Sequence, residues 1–394
     1  MNKKSFPSLK AVKLPLWFTA GLLVLASRIV LLAVYWYWKN EVGSDDGPFT
    51  SLMRWDSGWY SAIAEHGYEG EATVDVDGQA RWAFFPLVPL LEGFLTRLTG
   101  LPVRVVGVLM NSVILYLITW WGARYMRDLD QGWPQAVAFM LIVNFGPYNV
   151  YYSTLYTEAM FVLLVCLALY CLQKRRWLLM GVFGALAGAT RNTGIFVVFA
   201  VPVWCIVTYL QDNDSIHKKG VLDFLRWVLQ KPRLVLGTFL MPLGFFLYMH
   251  YLDRLVGDGM AFMHVQYAWG KAVGNPVVNL WNGLMELGSI NFMQAVCTVT
   301  VLYLAVRQIL RRRPEGILSL LFILIPLSTT VYGMARYVLC SFPILLEAAN
   351  VLAKKDRLSQ LFWAFFFGDV RHCHNLAMVP SLCNCDVIVY RREP

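Results

Sequence analysis

Charge is scarce in this chain of 394 residues: 25 Asp and Glu with 34 Lys and Arg make only 15% of it charged, against 58% hydrophobic residues. That shortage excludes an ordinary water-soluble domain, because so much apolar surface cannot be hidden in one core. Other absences narrow the field. No small-x-small motif follows the first apolar run, so residues 15–38 read as a permanent span and not as a cleaved signal peptide. No phosphate-cradling P-loop is present, and nothing suggests a cytoplasmic nucleotide-sugar site. No internal repeat is visible, which removes the usual argument for an inverted-repeat transporter. The eight cysteines form no disulfide framework: Cys166, Cys171, Cys205, Cys297 and Cys340 fall inside apolar segments, as small packing residues do.

Apolar runs approaching the roughly 20 residues needed to cross about 30 Å of hydrocarbon recur along the chain. The basic residues lie in short clusters between them: Lys3 to Lys13, Arg124 and Arg127, Lys174 to Arg176, Lys218 to Arg233, Arg307 to Arg313, and Lys354 to Arg357. The net charge of +9 is therefore read as positive-inside patterning and not as a nucleic-acid surface. Started from the cytoplasm, the parity of these clusters closes for about ten spans: 15–38, 103–123, 133–148, 155–173, 177–190, 195–210, 234–250, 290–309, 316–334 and 337–353. Segment 83–98, with two prolines and Glu92, is then an interfacial or re-entrant helix. Two long loops face outward, an acidic one over 39–82 and a second over 251–289. The expectation is an all-α polytopic membrane protein whose domain covers 1–353, with an atypical tail at 354–394.

Candidate chemistry gathers at the outer ends. Asp56 lies in "MRWDSGWYSAIAEHGYEG", beside Trp55 and Trp59, which favour headgroup depth; on a helix it would share a face with Trp59 and Tyr60. The competing reading is a helix cap. Span 177–190 is short, so Arg191 in "GATRNTG" stands near membrane depth and needs an anion or an escape to water; Asn192 adds hydrogen bonds suited to phosphate oxygens. Tyr156 and Glu158 head a span, where Glu158 could cap it, hold sugar hydroxyls or meet Arg191. Arg336 and Tyr337 fall at another outward turn, bringing a second arginine to the same face. Gln266, Trp269 and Lys271 in "FMHVQYAWGK" offer a sugar or phosphate surface, or a plain interfacial helix.

The ordered set "RWDSGWYSAIAEHGY", "FFPLVPLL", "YTEAMF", "ATRNTG", "FMHVQYAWGK" and "ARYVLCSFP" resembles the prokaryotic relatives of GPI mannosyltransferase 2, the PIG-V family of GT-C glycosyltransferases. The resemblance implies a GT-C-like bundle with a long first extracytoplasmic loop carrying interfacial helices. It also implies a hexosyltransferase moving a mannose-like sugar from a polyprenyl-phosphate donor to a hydroxyl of a lipid-linked or extracytoplasmic glycan acceptor, by inverting single displacement. Asp56 matches the expected catalytic base and Arg191 the family's arginine; Arg191 and Arg336 would bind the donor phosphate. Trp55, Tyr60, Glu65, His66, Tyr156, Glu158, Asn192, Gln266, Trp269 and Tyr337 are the candidate substrate contacts. His66 could orient Asp56 or touch sugar, a satisfied histidine being the alternative.

Membrane lipids are the expected surroundings, and no nucleic acid is expected as a partner. The site should face the extracytoplasmic side, of a bacterial plasma membrane or, in a eukaryote, of the endoplasmic reticulum. No metal set is recognisable and no cofactor is implied, although the acidic loop leaves a divalent cation open. In the tail, His372, Cys373, His374, Cys383 and Cys385 lack the spacing of a closed zinc site. Its compositional break fits an altered frame or a truncated last helix. The rival functions are a transporter or flippase of an anionic lipid or solute, which the arginines would also suit, and a non-catalytic scaffold that binds polyprenyl lipids.

Overall fold

Helices account for every regular element in the computed structural model, which describes residues 14–43, 45–71, 78–129, 131–212 and 220–354; no strand occurs among them. The chain is an all-α polytopic membrane protein. The tail beyond 354, with its histidines and cysteines, and Asp75 and Asp77 of the acidic loop lie outside the described residues.

The helices are α1 (Leu16–Val42), α2 (Pro48–Ser51), α3 (Ser57–His66), α4 (Leu87–Thr99), α5 (Val103–Asp128), α6 (Trp133–Phe145), α7 (Glu158–Gln173), α8 (Trp177–Thr190) and α9 (Ala200–Asp212). They continue with α10 (Val221–Leu229), α11 (Pro232–Leu240), α12 (Leu243–Val256), α13 (Ala261–His264), α14 (Pro276–Met285), α15 (Ile290–Leu310), α16 (Glu315–Leu327), α17 (Met334–Leu339) and α18 (Phe342–Leu352). Five stretches are long and apolar enough to cross a membrane: Leu16–Glu41, Val103–Asp128, Asn192–Asp212, Pro232–Val256 and Ile290–Leu310. Five shorter apolar helices, α6, α7, α8, α16 and α18, accompany them. Each segment expected to span is thus largely helical. The last differs in its start: a helix runs from 334 to 339, breaks at Cys340 and Ser341, and resumes as α18 with Pro343 in its first turn. Proline lacks the N–H that would continue a helix and is tolerated where no intrahelical partner is needed.

The short helices set the depth of the site. α6 has 13 residues, α7 has 16 and α8 has 14, rises of about 20 to 24 Å against a hydrocarbon thickness of about 30 Å. Their neighbouring ends carry the irregular stretch 146–157, Glu158 and Arg191. Irregular backbone at such depth must be satisfied from within the protein. Asn111 Nδ2 donates to the Thr154 carbonyl, Asn149 Nδ2 to that of Val143 at 2.8 Å and Asn144 Nδ2 to that of Met140 at 2.8 Å.

Segment 83–98 forms a 3-10 turn at Arg81–Ala83 and then α4, which packs on α3. The two helices meet at Gly93, where an added methyl would overlap the Ala64 carbonyl oxygen. Gly93→Val should force α3 away from α4 and cost about 2 kcal/mol. A lowered melting temperature of the purified protein is the expected result.

Candidate active site

Asp56 stands at the N-terminal boundary of α3, not within it. Its backbone carbonyl accepts from Trp59 N–H at 3.1 Å and Tyr60 N–H at 3.3 Å, while its carboxylate makes no capping bond. The cap reading therefore holds for the main chain only, and the carboxylate is free to face elsewhere. Trp55, just before it, has φ 49°, a left-handed conformation that a bulky side chain resists. Tyr156, 1% exposed, spans this turn: its Oη accepts from Asp56 N–H at 2.9 Å and donates to the Arg54 carbonyl at 3.4 Å. The tyrosine expected to touch substrate is thus engaged by the backbone that carries Asp56.

The Asp56 carboxylate meets Arg336, whose Nη1 donates to Oδ2 at 2.8 Å. Arg336 Nε lies 3.3 Å from Glu158 Oε1, and Arg191 Nη1 lies 2.8 Å from the same oxygen. Four charges from four distant parts of the chain therefore form one row, Asp56, Arg336, Glu158, Arg191, whose formal charges cancel. Exposure is lowest inside the row: the side chains are 31% exposed at Asp56, 18% at Arg336 and 1% at Glu158, and 16% at Arg191 on its other end. Glu158 sits at the N-terminus of α7, where a carboxylate is favoured, and its partner among the three sequence alternatives is Arg191.

Aromatic rings wall the row. The Arg336 guanidinium carbon lies 4.8 Å from the centroid of Tyr337, 5.2 Å from Tyr156 and 5.8 Å from Tyr151. That of Arg191 lies 5.4 Å from Tyr337 and 5.8 Å from Phe161. Flat guanidinium groups stack well on such faces. Tyr337 Oη also accepts from Arg336 Nη2 at 3.1 Å. Tyr60, buried on α3, shares its hydroxyl with Thr157 Oγ1 at 3.4 Å. Burial, reinforced by the Glu158 carboxylate, holds the Tyr60 phenol well above its ordinary pKa, so it stays protonated.

Other sequence candidates stand apart. Glu65 and His66 close α3 about 15 Å from its start; both are exposed and face each other at 3.8 Å, so His66 does not orient Asp56. Asn192 is exposed beside Arg191. Gln266 donates to the Phe262 carbonyl at 3.5 Å. Trp269 packs edge-on against Trp59 and Phe84, which stack on each other, so the second loop reaches the first through three aromatic rings. Nearby His264 Nδ1 lies 2.7 Å from Asp258 Oδ2, an exposed pair whose hydrogen bond lowers the Asp258 pKa. Trp55, half exposed, lies 5.9 Å from Tyr151. Tyr151 was not among the sequence candidates, because a tyrosine in a Tyr-rich stretch carries no signal of its own. Among the described residues no group of three or more His, Cys, Asp or Glu could hold a metal ion.

Residues 42–255 match the family model described as mannosyltransferase (PIG-V), which covers more than half of the chain. The chain belongs to the PIG-V mannosyltransferase family. Among curated proteins it is similar to GPI alpha-1,6-mannosyltransferase 2 of Rattus norvegicus, 32% identical over 162 residues, 37% of this chain and 30% of that protein. It is 30% identical over 165 residues to the Mus musculus protein of the same name, 38% of this chain and 31% of the relative. The match to the Cricetulus griseus protein is 31% over 168 residues, 39% and 31% respectively. The matched stretch thus spans less than a third of these relatives' length. Asp56, Tyr156, Glu158 and Arg191 of this PIG-V family member fall inside the family match; Arg336 and Tyr337 lie beyond it and join them only through the fold.

Removing the acid that two arginines share leaves buried positive charge uncompensated. Glu158→Ala should cost about 3 to 5 kcal/mol, the range for breaking a buried pair, read as a lower melting temperature. Glu158→Asp should recover part of the loss.

Proposed function

We propose that this protein transfers a mannose-like hexose from a polyprenyl-phosphate donor to an acceptor hydroxyl at the membrane surface, with Asp56 as the general base. The observation that carries the reading is the Asp56–Arg336 pair at the more exposed end of the row of four charges. A base must reach solvent and substrate, and Asp56 is the most exposed member. A phosphate binder must be held by something that can yield, and Asp56 is the partner Arg336 can exchange for a substrate phosphate.

When the donor arrives, its phosphate competes with Asp56 for the Arg336 guanidinium. The phosphate–Arg336 contact replaces the Asp56–Arg336 bond, so donor binding itself sets the base free. Glu158 and Arg191 keep Arg336 in place during the exchange. The acceptor oxygen then bonds to C1 of the sugar while Asp56 takes the hydroxyl proton. The C1–O bond to phosphate breaks, and its electron pair leaves on the polyprenyl phosphate, where Arg336 and Arg191 stabilise the growing charge. One displacement inverts the anomeric centre. The rings of Trp59, Phe84 and Trp269 supply an apolar face for a sugar at the mouth of the site.

The relatives' name, GPI alpha-1,6-mannosyltransferase 2, supports mannose as the sugar and a lipid-linked glycan as the acceptor class. The site then faces the extracytoplasmic side, with the acidic first loop outside.

Transfer of labelled mannose from polyprenyl-phosphate mannose, in membranes holding each variant, tests the roles. Asp56→Asn should lose about 100- to 10,000-fold in rate, the usual contribution of a positioned base, at an unchanged protein level. Arg336→Gln should lose both rate and donor affinity. Undiminished transfer by Asp56→Asn would remove the aspartate from the chemistry. The side of the membrane has a separate test: Glu65→Cys should react with an impermeant thiol reagent in intact spheroplasts, and reaction only after permeabilisation places the site in the cytosol.

A further inference from the structure

Arg28 is a charge that the proposed chemistry leaves unused. It is the thirteenth residue of α1, about 18 Å along a helix of about 40 Å, in the interior of the first apolar span. The run Tyr35, Trp36, Tyr37 and Trp38, whose rings favour headgroup depth, comes seven to ten residues later, about 10 to 15 Å further along the helix. Arginines at such depth are rare and mark ligands, partners or pathways.

The arginines of the reaction row each meet a carboxylate, as does Arg307 with Glu347. Arg28 does not. Its Nη1 donates to Ser153 Oγ at 2.7 Å and its Nη2 to Asn149 Oδ1 at 3.1 Å, both neutral, and its Nε is buried with no partner among the described residues. Ser153 and Asn149 belong to the irregular turn that also carries Tyr151, the ring against Arg336. Arg28 is thus pre-oriented by two neutral bonds, half-buried, paired with no carboxylate among the described residues, and tied to the turn whose Tyr151 faces Arg336. The flank beside it is open and apolar: Leu25 and Ile29 are each 59% exposed and Leu32 is 47%.

We infer that Arg28 binds the phosphate of a lipid drawn below the headgroup plane, with the lipid chain lying on Leu25, Ile29 and Leu32. A guanidinium with donors to spare matches phosphate oxygens in two-pronged geometry. The depth selects against ordinary surrounding lipid, whose phosphates sit with the aromatic belt. Two substrates of the proposed reaction carry such a group, a polyprenyl phosphate and a phospholipid-based acceptor. The binding itself does not depend on any sugar being transferred.

The full chain, purified in detergent and examined by native mass spectrometry, tests this with three probes: polyprenyl monophosphate, phosphatidylglycerol, and polyprenol, which lacks phosphate. Arg28→Gln should weaken binding of at least one phosphate lipid tenfold or more and leave polyprenol unchanged. Loss confined to polyprenyl phosphate assigns the position to the donor carrier, and loss confined to phosphatidylglycerol assigns it to a phospholipid. Unchanged binding of both phosphate lipids, or equal weakening of polyprenol, overturns the inference. Should Arg28→Gln fail to fold, Arg28→Lys decides. A melting temperature raised by a phosphate lipid and not by polyprenol, as in the wild type, supports the phosphate site; the absence of that difference makes Arg28 a structural tie and overturns it. These readouts stand whether or not Asp56 proves to be the base.

Discussion

The Glu158 carboxylate is the constraint on which the site depends. It is buried at the start of α7 and balances two arginines, Arg191 from the end of α8 and Arg336 from α17. Without it Arg191 would lose the carboxylate it meets and Arg336 one of its two, and leaving a desolvated charge unpaired is costly. With it, Arg336 has a guanidinium edge left for Asp56. The row is therefore hierarchical: an interior ion pair fixes the arginines, and Asp56, bonded to Arg336, is its most exposed member.

The short helices serve the same end. Because α6, α7 and α8 end early, their termini place polar side chains and irregular backbone below the level at which the longer helices finish. Side-chain amides donate to carbonyls there: Asn111 to Thr154, and Asn144 and Asn149 to the last turns of α6. The aromatic contacts of Trp59, Phe84 and Trp269 join the second loop to the first.

Particular residues show where a linear reading reached and where it stopped. The helical class and the apolar segments were legible because hydropathy and basic clusters are local properties. Asp56, Arg191, Glu158 and Arg336 stood out because each is a charge at the edge of an apolar run. Their pairing was not legible: Asp56 and Arg336 are 280 positions apart, and Glu158 had three plausible partners. His66 looked close to Asp56 in sequence, yet ten helical residues carry it to the far end of α3. Tyr156, a candidate substrate contact, is also a clamp on the Asp56 turn. Arg28 was passed over, although an arginine inside an apolar run is a signal.

From its sequence alone this protein is determined to be a helical membrane protein, because scarcity of charge and runs of apolar residues leave lipid as the only adequate solvent for most of the chain. The sequence match to the PIG-V family places it among mannosyltransferases. Only the tertiary structure decided which charges neutralise which, that Arg336 joins residues of the family-matched region, and that Arg28 meets no carboxylate among the described residues. The physical reason is range: burial preference is written residue by residue, whereas an ion pair exists only where two distant parts of the chain bring opposite charges within a few ångströms.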